Sequence, residues 1–195
     1  MRLVRASRKT RRALLGSFAW PALLLLPRLG RSATDESVTV ERRVKAAFLY
    51  KFMGYIAWPD NAFAKPGASL VMGVLGDDAL ADELAEMVAG RSVEGHALVV
   101  KRLRDTDSAA GVHLLFVARS ETSHLPVLAR SSGAQPLLIV SEAEDALEQG
   151  SMINFVINAG RVKFDIAPEA AERRGVKLSS RLLTVARHVR AVTAP

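Results

Sequence analysis

Residues 69–90 read SLVMGVLGDDALADELAEMVAG, and the fold turns on them. Leu70 to Leu75 is an unbroken apolar run with β-branched residues, and Gly76-Asp77-Asp78 is turn chemistry. Ala79 to Gly90 is helical in its spacing and closed by glycine. A strand that is apolar without alternation is covered on both faces. Three more such runs follow, HALVVKRL (96–103), GVHLLFVARS (111–120) and PLLIVS (136–141), with brief helices expected near 123–130 and 142–148. Strand and helix in succession define an α/β domain: a three-layer sandwich around a mostly parallel central sheet.

The pattern then changes. SMINFVI (151–157) and RVKFDIA (161–167) flank Asn158-Ala159-Gly160, an antiparallel β-hairpin signal, because asparagine and glycine tolerate the positive φ of a tight turn. KLSSRLLTVARHVRAV (177–192) is expected to be the final helix. Leu178, Leu182, Leu183, Val185, Ala186 and Val189 form its apolar stripe, with Ser179 or Ser180 as N-cap.

Upstream, VKAAFLYKFMGYIAWPDNAF (44–63) holds six of the chain's eleven aromatic residues. A helix is expected from Val44, after a polar lead-in over 34–43, and Pro59 ends it, since proline disfavours helical geometry in the preceding residue. At about 100° per residue, Phe48, Leu49, Phe52, Tyr55 and Ile56 share one arc and are expected in the core. Ala46, Tyr50 and Met53 fall on another side, which a surface helix normally keeps polar. That second apolar side makes Tyr50, Met53, Trp58 and Pro59 the candidate partner or ligand contacts, with Trp58 at a helix-ending Trp-Pro corner. Lys45 lies inside the apolar arc and is expected to snorkel outward.

The first 33 residues are unlike the rest. A basic start (Arg2, Arg5, Arg8, Lys9, Arg11, Arg12) runs into an apolar stretch from Ala13 to Leu26, and small residues follow near Ser32 and Ala33. That is the layout of a cleaved secretory signal peptide; the apolar run is too short to span a bilayer. Thr10-Arg11-Arg12-Ala13-Leu14-Leu15 also resembles a twin-arginine signal. Eight of the 27 basic residues lie in this leader, so the chain from residue 34 carries 19 bases against 20 acids, a net charge of −1. Without a basic excess to offset phosphate charge, a nucleic-acid partner is not expected.

Chemistry of the usual kinds is missing. The chain has no cysteine, which excludes thiol catalysis and cysteine metal sites. His96, His113, His124 and His188 never stand three or four residues apart, and no metalloprotease, nucleophile-elbow, phosphate-loop or dinucleotide motif is present. No catalytic residue, metal or cofactor is expected. His96 and His113 read as satisfied structural histidines, and Asp77-Asp78 as turn and capping chemistry.

VKAAFLYKFMGYIAWP, LVMGVLGDD, HLLFVARS, PLLIVSE, GSMINFVINAGRVKFDI and RRGVKLSSRLLTVAR, in this order and spacing over about 41–190, resemble the YfiR family of bacterial periplasmic proteins. The resemblance implies a single α/β domain, here 44–192, often dimeric. It implies a negative regulator that holds back an inner-membrane diguanylate cyclase by contacting its periplasmic sensor domain. That lowers cyclic di-GMP and biofilm formation, and an OmpA-type outer-membrane lipoprotein can sequester the repressor. The disulfides of the best-known members have no counterpart in this cysteine-free chain. A second candidate site is the start of the last helix, where Lys177, Ser179, Ser180 and Arg181 surround free backbone N–H groups in an anion-binding arrangement. A third is the crevice at the carboxyl ends of the strands, near Asp77, Ser120 and Ser141. The rival readings are a periplasmic small-ligand sensor and an exported enzyme.

Overall fold

The computed structural model describes residues 32–190 except 105, 106, 132 and 134, with side chains from residue 35. The leader up to residue 31 and the last two residues of the expected domain lie outside the described residues. In chain order the elements are α1 (Ser32–Met53), β1 (Ile56–Ala57), β2 (Leu70–Leu75), α2 (Asp78–Val88), β3 (Ser92–Val93) and β4 (His96–Leu103). Then come β5 (Leu114–Val117), α3 (Leu125–Ser131), β6 (Leu138–Ser141), β7 (Ile153–Asn158) and β8 (Arg161–Ile166). The chain closes with α4 (Pro168–Glu172), β9 (Lys177–Leu178), α5 (Ser180–Val185) and β10 (His188–Val189).

The main sheet has the order β10-β8-β7-β6-β5-β2-β4-β3 and is parallel except at the β7–β8 hairpin and the β3–β4 edge. The apolar runs divide their side chains between two cores. Met72, Val74, Leu114, Phe116, Leu138 and Val140 face a layer that contains α1 and α2. Their neighbours Leu75, Leu115, Val117, Leu137 and Ile139 face another, with Leu125 of α3. Covering both faces is what makes unbroken apolar strands soluble. Gly73 belongs to this packing, because a Cβ there would stand 3.0–3.1 Å from the side chains of Leu103, Val112 and Leu115. The fold is the α/β class read from the sequence, with a mostly parallel sheet and a C-terminal antiparallel hairpin.

Five local expectations are corrected. Residues 34–43 are helix: α1 begins at Ser32, with Asp35 in its first turn, where acids suit the helix dipole, and a Glu41–Lys45 pair one turn apart. β4 is half exposed rather than covered on both faces, because only the two-residue β3 lies outside it. Residues 143–150 are turns rather than a brief helix. The hairpin turn is Ala159-Gly160, with φ of 48° and 70°, and Asn158 pairs with Arg161 in the ladder. The final helix is cut to six residues: Ala186 turns extended, and β10 pairs in parallel with β8. There Arg187 N–H donates to Phe164 O at 2.8 Å and Arg190 N–H to Ile166 O at 2.7 Å, while the Arg187 guanidinium donates to both carboxylate oxygens of Asp165. A bidentate pair with a nearly buried carboxylate outweighs the weak helix preference of the last residues, and it leaves Val185 and Val189 exposed.

Candidate partner-contact site

Helix α1 is apolar on two sides because it has two neighbours. Arg43 pairs with Glu83 of α2 at 3.1 Å, and Tyr50 lies under the guanidinium of Arg91, just past α2, at 5.1 Å. Residues 43, 46, 50 and 53 therefore form the stripe that meets α2, and Ala46 and Met53 are fully buried along it. Met53 is a core residue, and its reading as a contact is withdrawn. Tyr50 stays half-buried, with Arg91 Nη1 donating to its hydroxyl at 3.4 Å. Along the other stripe, Phe48 and Phe52 enter a ring cluster with Phe155 and Phe164 of the hairpin at 5.1–6.0 Å. On that same side Lys45 does not snorkel: it pairs with Glu41 and with Glu142 at the end of β6. Burial works to lower the Lys45 pKa, and the two carboxylates outweigh it and raise it.

The wheel fails past Met53. Helix α1 stops there, Gly54 and Tyr55 form a turn, and Tyr55 is 38% exposed instead of core. Gly54 is the signal that could have shown this, since glycine commonly follows a helix end. Beyond it, β1 pairs antiparallel with β9, matching Ile56 to Leu178 and Ala57 to Lys177, and Ser179 N–H donates to Tyr55 O at 2.9 Å. The turn after α1 and the start of the last helix thus share one shallow cleft of about 330 Å³ whose lining includes Gly54, Tyr55, Glu94, Lys177 and Ser179, while Trp58 and Pro59 lie outside its lining.

At the corner Trp58 and Pro59 are half-buried. The Trp58 ring stands edge-on to His113 at 5.6 Å, and its indole N–H is buried with no acceptor among the described residues. His113 is neutral and satisfied: its Nε2–H donates to Ala62 O at 3.0 Å, and its Nδ1 accepts from Val71 N–H at 3.1 Å. Burial holds its pKa below the ordinary 6.5. His96 stacks on Phe63 at 3.9 Å and reaches Ala68 O at 2.6 Å. At the last helix the Ser179 hydroxyl accepts from Leu182 N–H as N-cap, so the anion reading rests on Lys177, Ser180 and Arg181, all exposed.

The strand-end crevice is present as a cleft of about 810 Å³ lined by Gly76, Asp78, Arg102, Arg104, Asp107 and Glu121 among others, but Asp77, Ser120 and Ser141 themselves are not in its lining. Asp77 caps α2 by accepting from Leu80 N–H at 2.9 Å, and Ser141 is fully buried, donating to Val117 O at 3.0 Å. Only Ser120 is exposed, and the Gly76 turn closes on Glu121, whose Cγ would lie 2.4 Å from a Cβ there. A surface missed in the sequence is a groove of about 810 Å³ between α1 and the hairpin, lined by Val40, Val44, Phe48, Ile157 and Val162. Its walls come from segments over a hundred residues apart, and four of its ten lining residues belong to the helical turns read as a lead-in. Among the described residues no three His, Asp or Glu side chains are grouped to hold a metal, and no helix is long and apolar enough to cross a membrane.

The chain belongs to the YfiR/HmsC-like family, whose model matches residues 42–187. That family is one of periplasmic regulators of membrane diguanylate cyclases. No curated protein matches the chain. Among solved structures it is similar to the ABC domain of a Streptococcus pneumonia protein in complex with L-Trp, at 14% identity and a TM-score of 0.51. The alignment covers 77% of this chain and 60% of that one, and at this identity the likeness is one of fold.

Proposed function

We propose that this chain is a periplasmic repressor that inhibits an inner-membrane diguanylate cyclase by direct contact with its periplasmic sensor domain. It lowers cyclic di-GMP and biofilm formation without being an enzyme, and it reaches the periplasm by the leader over residues 1–33. The observation that carries this reading is family membership over nearly the whole described domain. The contact is assigned to Tyr55, Trp58 and Pro59 after α1, with Tyr50 on the α2-facing side of the helix as a separate candidate, because aromatic residues dominate binding hot spots whereas valine is under-represented there. The Val40–Ile157 groove is assigned to a second copy: the acid Glu36 on one wall and Arg161 on the other allow two copies to pair their charges. An OmpA-type lipoprotein that sequesters the repressor completes the circuit.

The test is cyclic di-GMP measured in a deletion strain complemented with variants. Deletion raises the level, and wild type restores repression. Tyr55→Ala, at an exposed position, and Trp58→Ala fail to restore it. Loss of a hot-spot aromatic costs 2 kcal/mol or more, about 30-fold in affinity. Full repression by both variants in folded form would reject the corner. An unchanged level on deletion, with no cyclase co-purifying, would reject the repressor reading.

A further inference from the structure

Residues 58–68, between β1 and β2, form a loop without a fully buried residue, and Trp58 and Pro59 stand at its start. Its own backbone bonds are local turns: Ala62 N–H to Pro59 O, Phe63 N–H to Asp60 O and Ala68 N–H to Lys65 O. Among the described residues, the side-chain hydrogen bonds that tie it to the sheet come from two histidines. His113, just before β5, reaches Ala62 O at 3.0 Å, and His96 of β4 reaches Ala68 O at 2.6 Å. Phe63 touches both rings, at 5.3 and 3.9 Å, and Trp58 meets the edge of His113 at 5.6 Å. A segment with so few buried contacts belongs to the low-stability end of a domain, so what fastens it decides its state.

The two rings answer acid differently. Val71 N–H of β2 donates to His113 Nδ1 at 3.1 Å, which fixes the tautomer: the ring proton sits on Nε2 and goes to Ala62 O. An imidazolium has donors on both nitrogens and no acceptor. Protonated His113 therefore sets an N–H against the Val71 N–H, and turning the ring over does not relieve it. The ring is also only 5% exposed, where an unpaired charge is costly. No carboxylate stands ready to pair with it. β2, β5 and β6, with residues 109–112 and 135–137 leading into the last two, contribute no charged side chain. β4 presents His96, a like charge when protonated, while its Lys101 and Arg102 are exposed, as are Asp60 and Lys65 of the loop. His96 loses nothing in acid, because its Nδ1–H already donates to Ala68 O and the second proton goes to the other nitrogen.

We propose that His113 is an acid-sensitive latch: neutral, it ties the loop bearing Trp58 to the sheet, and protonated, it releases that loop and the partner contact with it. The link to repression rests on the function proposed above, whereas the latch needs only the hydrogen bonds of His113.

The chain has two tryptophans, Trp20 and Trp58, so Trp20→Phe leaves Trp58 as the single reporter. Purified protein with that change is taken from about pH 7.5 to about pH 5 and followed by tryptophan emission, acrylamide quenching and far-ultraviolet circular dichroism. Emission should move to longer wavelength and quenching should rise, centred below pH 6.5, with circular dichroism unchanged. Glutamine can accept from Val71 N–H and donate to Ala62 O at any pH, so His113→Gln should abolish the transition and His96→Gln should keep it. If His113→Gln fails to fold, the parent and His96→Gln decide. Constant emission in the parent, loss of circular dichroism along with it, or a transition that survives His113→Gln or vanishes in His96→Gln would overturn the latch. In the deletion strain, repression by the complementing wild type should weaken in acid medium, and repression by His113→Gln should not. A fluorescence transition with acid-independent repression would overturn the link to the contact, and no repression at any pH would reject the repressor reading while the latch stands.

Discussion

Replacing Phe52 by alanine tests the packing of α1 directly. The ring is 1% exposed and lies 6.0 Å from Phe48, 5.9 Å from Phe155 and 5.1 Å from Phe164. Truncating a buried phenylalanine costs about 3–5 kcal/mol, and three ring pairs at about 0.5–1.5 kcal/mol each put this site at the top of that range. A loss of about 4–5 kcal/mol is a large part of the roughly 5–15 kcal/mol that holds a domain together. At a urea slope of about 2 kcal/mol/M the midpoint should fall by roughly 2 M. Tyr55→Ala, in the turn after the helix, should cost under about 1 kcal/mol. Urea unfolding followed by far-ultraviolet circular dichroism gives both numbers on one instrument. Should Phe52→Ala not fold, Phe52→Leu is expected to cost about 1–1.5 kcal/mol and replaces it. Equal midpoint losses for Phe52→Ala and Tyr55→Ala, at equal slope, would refute the assignment of the inward stripe.

Three other expectations follow from particular contacts. His113 is held neutral below its ordinary 6.5, so acid protonates the unfolded chain first, and stability should fall as pH drops below about 6.5 toward the lower folded-state value. His113→Gln should flatten that part of the melting-temperature profile; an unchanged profile counts against the assignment. Lys45→Ala leaves Glu41 and Glu142 facing each other without their cation and should cost roughly 2–3 kcal/mol, whereas Lys45→Met with Glu142→Gln should recover most of it. Chemical denaturation of the three proteins decides, and a double variant no better than the single one would contradict the pairing. Ala159 sits at φ 48°, so Ala159→Gly should stabilise by roughly 0.5–1 kcal/mol, read as a rise in the same midpoint; a fall would mean that the turn is not strained.

The contact reading has changed in content between sequence and structure. Met53 left the candidate set for the core, Tyr55 entered it from the core, and Trp58 acquired a supporting partner in His113. Trp58→Ala therefore perturbs packing as well as contact, which is why the exposed Tyr55→Ala belongs beside it.

The sequence by itself determined the three doubly covered strands β2, β5 and β6. Each apolar run is continuous because two layers must be covered, and that requirement is written residue by residue in Leu70–Leu75, Leu114–Val117 and Leu138–Ser141. Turn chemistry placed the hairpin within one residue, and the order of the motifs marked the family. What only the tertiary structure decided is which neighbour each helix side meets. A helical wheel gives angles about the helix's own axis; it cannot say that α2 stands against Ala46 and Met53, so a second apolar side read as an interface. Nor can local spacing foresee that residues 188–189 find more in a sheet edge and a buried carboxylate than in another helical turn. The turn after α1 and the last helix's start became one surface through β1–β9, two residue pairs that join positions more than a hundred residues apart, and such pairing leaves no periodic trace in either segment.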